Sequence, residues 1–341
     1  MTTQRHQLRI YGPGDLRSDK VSIPLPGEHD VLVRIHACGI CGTDLSYLAA
    51  GGLTSHPAGA PLAIGHEVSG VIDAVGSAVS DLKPGMRVVV NPDDNMIGNG
   101  SPEGGFTELL LVSNARKGEN ILLIPDHINL ETAALIEPLS VSLHGVNRAH
   151  VKPESKVVVL GAGMIGLGAV IGLRRRGVSD IVVVDNQIKR LEIALKLGAT
   201  NVIDPTREDL TTRLGKLHGC KSKYGFPMTA SDVYIDAAGA PTLLQQVIGS
   251  CRTGARIVII AVYKQPMPVD LLMVMVREIE IAGSIVYPDN EFSEVIDMLD
   301  QIKEDTDLLI THRFGFDQFA QAFQQAADAS RAVKIMVRIA P

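Results

Sequence analysis

The chain has 341 residues, 45% of them hydrophobic and 21% charged. That composition excludes a disordered or fibrous protein, and at roughly 100–200 residues per domain the length points to two domains. Lys and Arg number 32 against 38 Asp and Glu, a net charge of −6 with no basic block, while aromatics are 4% and Trp is absent. A nucleic-acid partner therefore has neither an electrostatic footing nor stacking platforms. The four cysteines, Cys38, Cys41, Cys220 and Cys251, are too few for a disulfide framework. The polar start, Met1 to His6, lacks the apolar core of a signal peptide, so a cytoplasmic protein is expected. One apolar run, Val157 to Leu173, has to be weighed as a membrane span. It is shorter than the roughly 20 residues a span needs and carries five glycines, which suits a strand entering a glycine-rich helix better.

From about residue 7 to 150, short β-rich runs alternate with turn signals, as at 31–35, 68–75 and 87–90 after Pro84-Gly85. From about 153 to 287 strands alternate with helical stretches, the texture of βαβ units on a parallel sheet. Strands are predicted over 156–160, 181–185, 201–203, 232–236, 256–262 and 280–286, which fits an α/β fold with a doubly wound sheet of two mononucleotide-binding halves. Helices over 291–303 and 316–329 and a strand over 332–339 make a tail too short for a domain of its own. The tail is expected to complete the first domain, giving 1–150 with 288–341 and an inserted 151–287. Residues 219–231 read as a surface loop.

After the strand Val157-Val158-Val159-Leu160 comes Gly161-Ala-Gly163-Met164-Ile165-Gly166, opening a helix. A lone G-x-G-x-x-G is weak, but this one has a strand before it, a helix after it and Asp185 ending the next strand. Gly161 serves the tight turn, Gly163 admits a pyrophosphate to the backbone, and Gly166 lets helix and strand pack closely. The helix N-terminus offers free N–H groups to the anion. A carboxylate at Asp185 accepts hydrogen bonds from both ribose hydroxyls and repels a 2′-phosphate, favouring NAD over NADP. Arg190 is placed to cover the adenine; its plain alternative is a solvated helix residue. The alternative for the whole motif is a glycine-rich packing contact without a ligand.

In the first domain, His36-Ala-Cys38-Gly-Ile-Cys41-Gly-Thr43-Asp44 holds a C-x-x-C. A redox pair belongs near a thioredoxin-like βαβ unit, which is absent here, and a four-cysteine zinc site needs a second pair, whereas Cys220 and Cys251 are isolated. There remains a single metal ligand with a bystander. Partners for it exist in Gly65-His66-Glu67 and in Ile136-Glu137-Pro138. Thiolate, imidazole and carboxylate are the donors of a catalytic zinc with three protein ligands and one open position.

These motifs, Cys41-Gly-Thr43-Asp44, Gly65-His66-Glu67-x-x-Gly70-x5-Gly76-x-x-Val79 and the glycine loop, together with Glu137-Pro-Leu-Ser-Val and Thr311-His-Arg-Phe314, resemble the zinc-dependent medium-chain alcohol dehydrogenases, essentially end to end. The nearest branch is the polyol group of sorbitol, L-idonate and threonine dehydrogenases. The resemblance implies a GroES-like, mostly β catalytic domain beside a Rossmann coenzyme domain. It also implies a zinc- and NAD-dependent oxidation of a secondary alcohol, diol or polyol to a ketone, carried out in the cleft between the domains, by a homodimer or homotetramer. Carried over, Cys41, His66 and Glu67 or Glu137 hold the zinc, the two glutamates exchanging or one of them acting through water. Thr43 takes the alcohol proton, with Ser46, Glu67 or water continuing the relay. Gly161, Gly163, Met164, Ile165, Gly166, Asp185, Arg190, Ile260, Ala261, Val262, Ile285, Val286 and Tyr287 match cofactor positions, and Tyr47 and Tyr287 are candidates for the pocket wall.

Three departures matter. Residues 91–105 span the place of a four-cysteine lobe without a cysteine, so one zinc is expected, with no structural ion. Ser46 stands where relatives carry a relay histidine. Val286 stands where polyol enzymes carry an arginine, which points to a less polar alcohol or diol. The competing reading is a zinc-free, NADPH-dependent enone or quinone reductase of the same fold. A different class again would be a nucleotide-binding regulatory protein whose catalysis has decayed.

Overall fold

Val157, Val158, Val159 and Leu160 are completely buried, as a strand covered on both faces requires. The computed structural model describes residues 3–53, 60–223, 225–328, 330 and 332–339. The chain divides into Met1–Glu137 with Asp289–Pro341, and Pro138–Pro288. The tail beyond 288 thus belongs with the first unit, and the division falls inside the helix Ile136–Arg148 rather than at 150.

In the second unit six parallel strands run in the order Asn201–Ile203, Asp180–Val184, Lys156–Leu160, Val233–Asp236, Arg256–Ile259, Glu280–Gly283. Counted along the chain this is 3-2-1-4-5-6, the doubly wound order. The two last strands stop three residues earlier than predicted, because 260–262 and 284–286 leave the ladder as loops at the carboxyl ends of their strands. Ligands of such sheets bind along that edge. Residues 219–231 correct the expected loop. Cys220–Lys223 and Phe226–Thr229 pair as an antiparallel hairpin, since Gly225 at φ 80° supplies the left-handed turn residue that a tight hairpin needs.

The first unit is mostly β. A seven-stranded sheet has Val31–Gly39 at its centre, buried at almost every position, paired antiparallel with Glu67–Val75 and Lys334–Arg338. Its core gathers Ile35, Cys38, Val68, Leu110 and Phe106, with Phe323 packed edge-on against Phe106. The expected closing strand is Lys334–Arg338, and the second tail helix is Phe319–Ala327 after one 3-10 turn. The strand Ile310–Gly315, which pairs parallel with Lys334–Arg338, escaped the sequence reading. No described helix is long and apolar enough to cross a membrane. The tested run resolves into the strand Lys156–Leu160 and the helix Met164–Arg175.

Candidate functional site

Cys41 lies two residues beyond the central strand and caps the helix Gly42–Ala50. Its Sγ accepts the Thr43 N–H at 3.5 Å, and Asp44 returns the favour by accepting the Cys41 N–H at 2.9 Å. This is a capping box built on sulfur. It fixes the sulfur at the helix end that favours negative charge. Cys38, three residues earlier, faces the core. Burial first, then the charges of Asp44 and Glu67, push its thiol well above the ordinary range. Its sulfur is not among the ligand atoms that Cys41, His66 and Glu67 bring together.

Glu67 opens the strand Glu67–Val75 and His66 directly precedes it. One ligand atom each of Cys41, His66 and Glu67 lie within 4.8 Å of one another. Glu67 sits opposite Gly39, and a Cβ on Gly39 would come within 2.0 Å of its carboxylate. The glycine is what leaves room for that carboxylate. His66 is buried, its Nδ1 without a hydrogen bond among the described residues and 3.8 Å from an Asp44 oxygen. Burial pushes the imidazole down, but the charges of Cys41, Asp44 and Glu137 outweigh it and hold it well above its usual value. Glu137 is outside the group of three, yet near enough for its charge to act on His66 and on Lys334.

Lys334 is the residue the sequence reading missed. Its Nζ donates to both Glu67 oxygens, at 2.5 and 2.6 Å, and to the Ile40 carbonyl at 3.0 Å, entirely buried. Burial pushes the amine down, but the charges of Glu67 and Cys41 and the bond to Glu67 carry it above its usual value. A lysine inside the apolar strand Lys-Ile-Met-Val-Arg was the available signal, because a buried lysine demands a counter-charge. Sulfur, imidazole and carboxylate donors with an orphaned imidazole nitrogen fit zinc. A carboxylate has about four lone-pair sites, so Glu67 retains acceptors beside Lys334.

Thr43 is half-buried and its hydroxyl makes no hydrogen bond among the described residues. Ser46 Oγ donates back one turn to the Gly42 carbonyl at 3.0 Å. Tyr47, half-buried, gives its hydroxyl to Asn99 Oδ1 at 3.2 Å, and burial and then Asp44 and Cys41 raise its pKa.

In the second unit Gly161 has φ 95°, and a Cβ on Gly166 would lie 1.8 Å from the Gly161 carbonyl, so both are glycine by necessity. Gly163 is different. A Cβ there would meet only the Arg190 guanidinium, at 3.8 Å, so packing does not demand a glycine and the space is left for a ligand. Gly163 also caps the helix Met164–Arg175 without a side-chain bond, leaving first-turn N–H groups free. A dinucleotide fits this cradle. Asp185 accepts the Ala162 N–H and the Gln187 N–H, both at 2.7 Å, tying the glycine loop to the second strand's end. Burial lowers the Arg190 pKa against the pull of Asp185. Ile260 and Ala261 donate their N–H groups to the Asp236 carbonyl, and Tyr263 bonds the Asp236 carboxylate at 2.6 Å. Val262 and Ile285 are 82% and 84% exposed, Val286 has φ 52°, and Tyr287 is buried.

Residues 27–126 match the alcohol dehydrogenase GroES-like domain family, and residues 165–301 the zinc-binding dehydrogenase family. Sorbitol dehydrogenase of Homo sapiens is 32% identical over 98% of this chain and 96% of its own length. The crystal structure of 2R,3R-butanediol dehydrogenase from Bacillus subtilis superposes with a TM-score of 0.87 at 27% identity, covering 98% of this chain and all of that one. A zinc-binding dehydrogenase from Sinorhizobium meliloti 1021, solved bound to NADP, gives 0.84 at 28%, over 99% of this chain and 100% of that one.

Proposed function

Since the chain belongs to the zinc-dependent medium-chain alcohol and polyol dehydrogenases, an oxidoreductase family acting on CH–OH groups, we propose that it oxidises a secondary alcohol or diol to a ketone with one zinc ion and NAD. The observation that carries this reading is the meeting of Cys41, His66 and Glu67 from separate stretches of chain within 4.8 Å. Cys41 and His66 hold the metal, with Glu67 as third donor and Glu137 as its alternate.

A zinc held by this set would supply Lewis acidity toward an alcohol, and a bound nicotinamide would be the hydride acceptor. The chain's own groups do the rest. Thr43, with its hydroxyl uncommitted, receives the alcohol's proton and passes it to water. Ser46, whose hydroxyl rests on the Gly42 carbonyl, would have to leave that bond to carry a proton along the path. Asp44 fixes the Cys41 backbone through its N–H and sets a carboxylate 3.8 Å from the imidazole. Asp185 selects the ribose hydroxyls of NAD, and Gly163 with the free N–H groups of its helix receives the pyrophosphate. Val286 brings no donor to a polyhydroxylated chain, which favours a diol over a sugar alcohol.

The test is metal analysis of the purified protein, joined to an NAD-linked absorbance assay over secondary alcohols, diols and polyols, run in parallel with NADP. One equivalent of zinc, lost together with turnover in Cys41→Ser and His66→Ala, is the expected result. Protein that holds no metal and keeps its activity in chelator overturns the reading. For assembly, the edge strand Glu280–Gly283 and the neighbouring Leu271, Leu272 and Met275, each at least 60% exposed, are the surface a second copy would cover in the cytoplasmic dimer we infer.

A further inference from the structure

The loop over residues 91–105 contains Asn99-Gly100, the one Asn-Gly pair in the chain. Three features of it coincide. Gly100 is exposed at φ 124° with no Cβ to block an approach to its nitrogen, and a Cβ there would find only Leu53 Cδ1, at 3.6 Å. Its N–H makes no hydrogen bond among the described residues, so no partner has to be broken before it reacts. The Asn99 amide is held loosely, Nδ2 giving a 3.4 Å bond to the Ile97 carbonyl and Oδ1 accepting the Tyr47 hydroxyl at 3.2 Å. From this we propose that Asn99 is a site of spontaneous, site-selective deamidation, and that the product changes the setting of Tyr47.

The chemistry needs no enzyme and no oxidant. The Gly100 nitrogen gives up its proton and bonds to Asn99 Cγ, while the Cγ–Nδ2 bond breaks and ammonia leaves. The cyclic imide then takes up one water, and opening at either carbonyl yields aspartate or isoaspartate. The neutral amide oxygen facing Tyr47 is thereby replaced by a carboxylate, which binds a phenol hydroxyl more strongly and withdraws it from other acceptors. The isoaspartate instead lengthens the backbone and carries the acceptor away. Tyr47 is close enough to Cys41 and Asp44 to feel their charge, so either product acts on the surroundings of the metal ligands. This last step rests on the proposed dehydrogenase reading; the modification itself does not.

The purified full-length protein is aged at mildly alkaline pH and its peptides are mapped by mass spectrometry. Conversion at Asn99 should run ahead of every other asparagine by about tenfold or more and be absent from Asn99→Gln, with Gly100→Ala slowed as a second variant. Asn99 left intact while other asparagines convert, or an equal rate in Gly100→Ala, overturns the assignment. Freshly purified Asn99→Asp should keep its metal content and circular dichroism while KM for the alcohol rises about fivefold, the ratio that one altered hydrogen bond produces. Unchanged kinetics in Asn99→Asp beside confirmed deamidation would sink the coupling to Tyr47 alone, and absence of all turnover in the parent protein would sink the dehydrogenase reading instead.

Discussion

Replacing Lys334 by methionine keeps most of the side-chain volume and removes one positive charge from a site that solvent does not reach. The two partners expose 3% and 0% of their side chains, so water screens neither. Three donated bonds disappear, two to Glu67 and one to the Ile40 carbonyl. Breaking a buried ion pair from one side typically costs about 3–5 kcal/mol, most of it from the charge left behind. With both members fully enclosed, Lys334→Met belongs in the upper half of that range, about 4 kcal/mol. Glu67→Gln added to it removes the stranded charge, so the double variant should recover more than half of the loss. The chain has no Trp, so unfolding in urea is followed by far-ultraviolet circular dichroism, on protein stripped of metal. Adding zinc should then narrow the single variant's deficit, because a bound cation supplies the missing charge and binding to the folded state alone stabilises it. A metal-free Lys334→Met that loses less than about 1 kcal/mol, or a double variant no better than the single, would refute the reasoning.

Three further outcomes follow from the same geometry. Asp185→Ser should raise the use of NADP relative to NAD by about tenfold or more, since a factor of ten needs only ~1.4 kcal/mol of relieved repulsion; equal use by the parent protein would remove Asp185 from the selection. Glu131 is clamped by Arg313 and Arg338, and although burial pulls its carboxyl upward, the two guanidinium bonds hold it below the usual carboxylate value. A depressed folded-state pKa contributes stability that is full above the unfolded value and is lost as pH falls through the folded one, so Glu131→Gln should flatten the acid limb of a urea-midpoint profile between about pH 6 and about pH 3. With both arginines partly exposed the effect is about 1 kcal/mol, and a parallel profile for the two proteins would contradict it. Leu272→Lys places a charge on the exposed apolar surface beside the edge strand and should shift size-exclusion elution toward the monomer; an unchanged elution volume would locate any assembly elsewhere.

Much of this protein was legible along the chain because the decisive signals are local. The strand at Lys156–Leu160, the glycine spacing after it and the acid closing the next strand specify a βαβ unit within about thirty residues, and Gly161 and Gly166 there answer to a steric need visible in their neighbours. The proposed ligands Cys41 and His66 were likewise readable, since few residue types bind zinc. Strand ends were less so, because 260–262 and 284–286 are as apolar as the strands they follow and only the ladder shows where pairing stops. The hairpin over 220–229 hid in a polar stretch whose turn depends on one glycine's φ.

What the residue order determined by itself, then, is the kind of chemistry available and the two halves that carry it: periodicity and spacing act between near neighbours. Only the tertiary structure decided that Glu67 shares its carboxylate with Lys334, 267 positions away, that Gly39 exists to make room for that carboxylate, and that Ser46 turns its proton back into its own helix. A strand alignment brings Met336 beside Gly39, and Gly39 beside Glu67; no local preference of either strand encodes that register. Buried charges are paired by whatever the fold delivers to them, so their partners emerge from packing rather than from sequence distance.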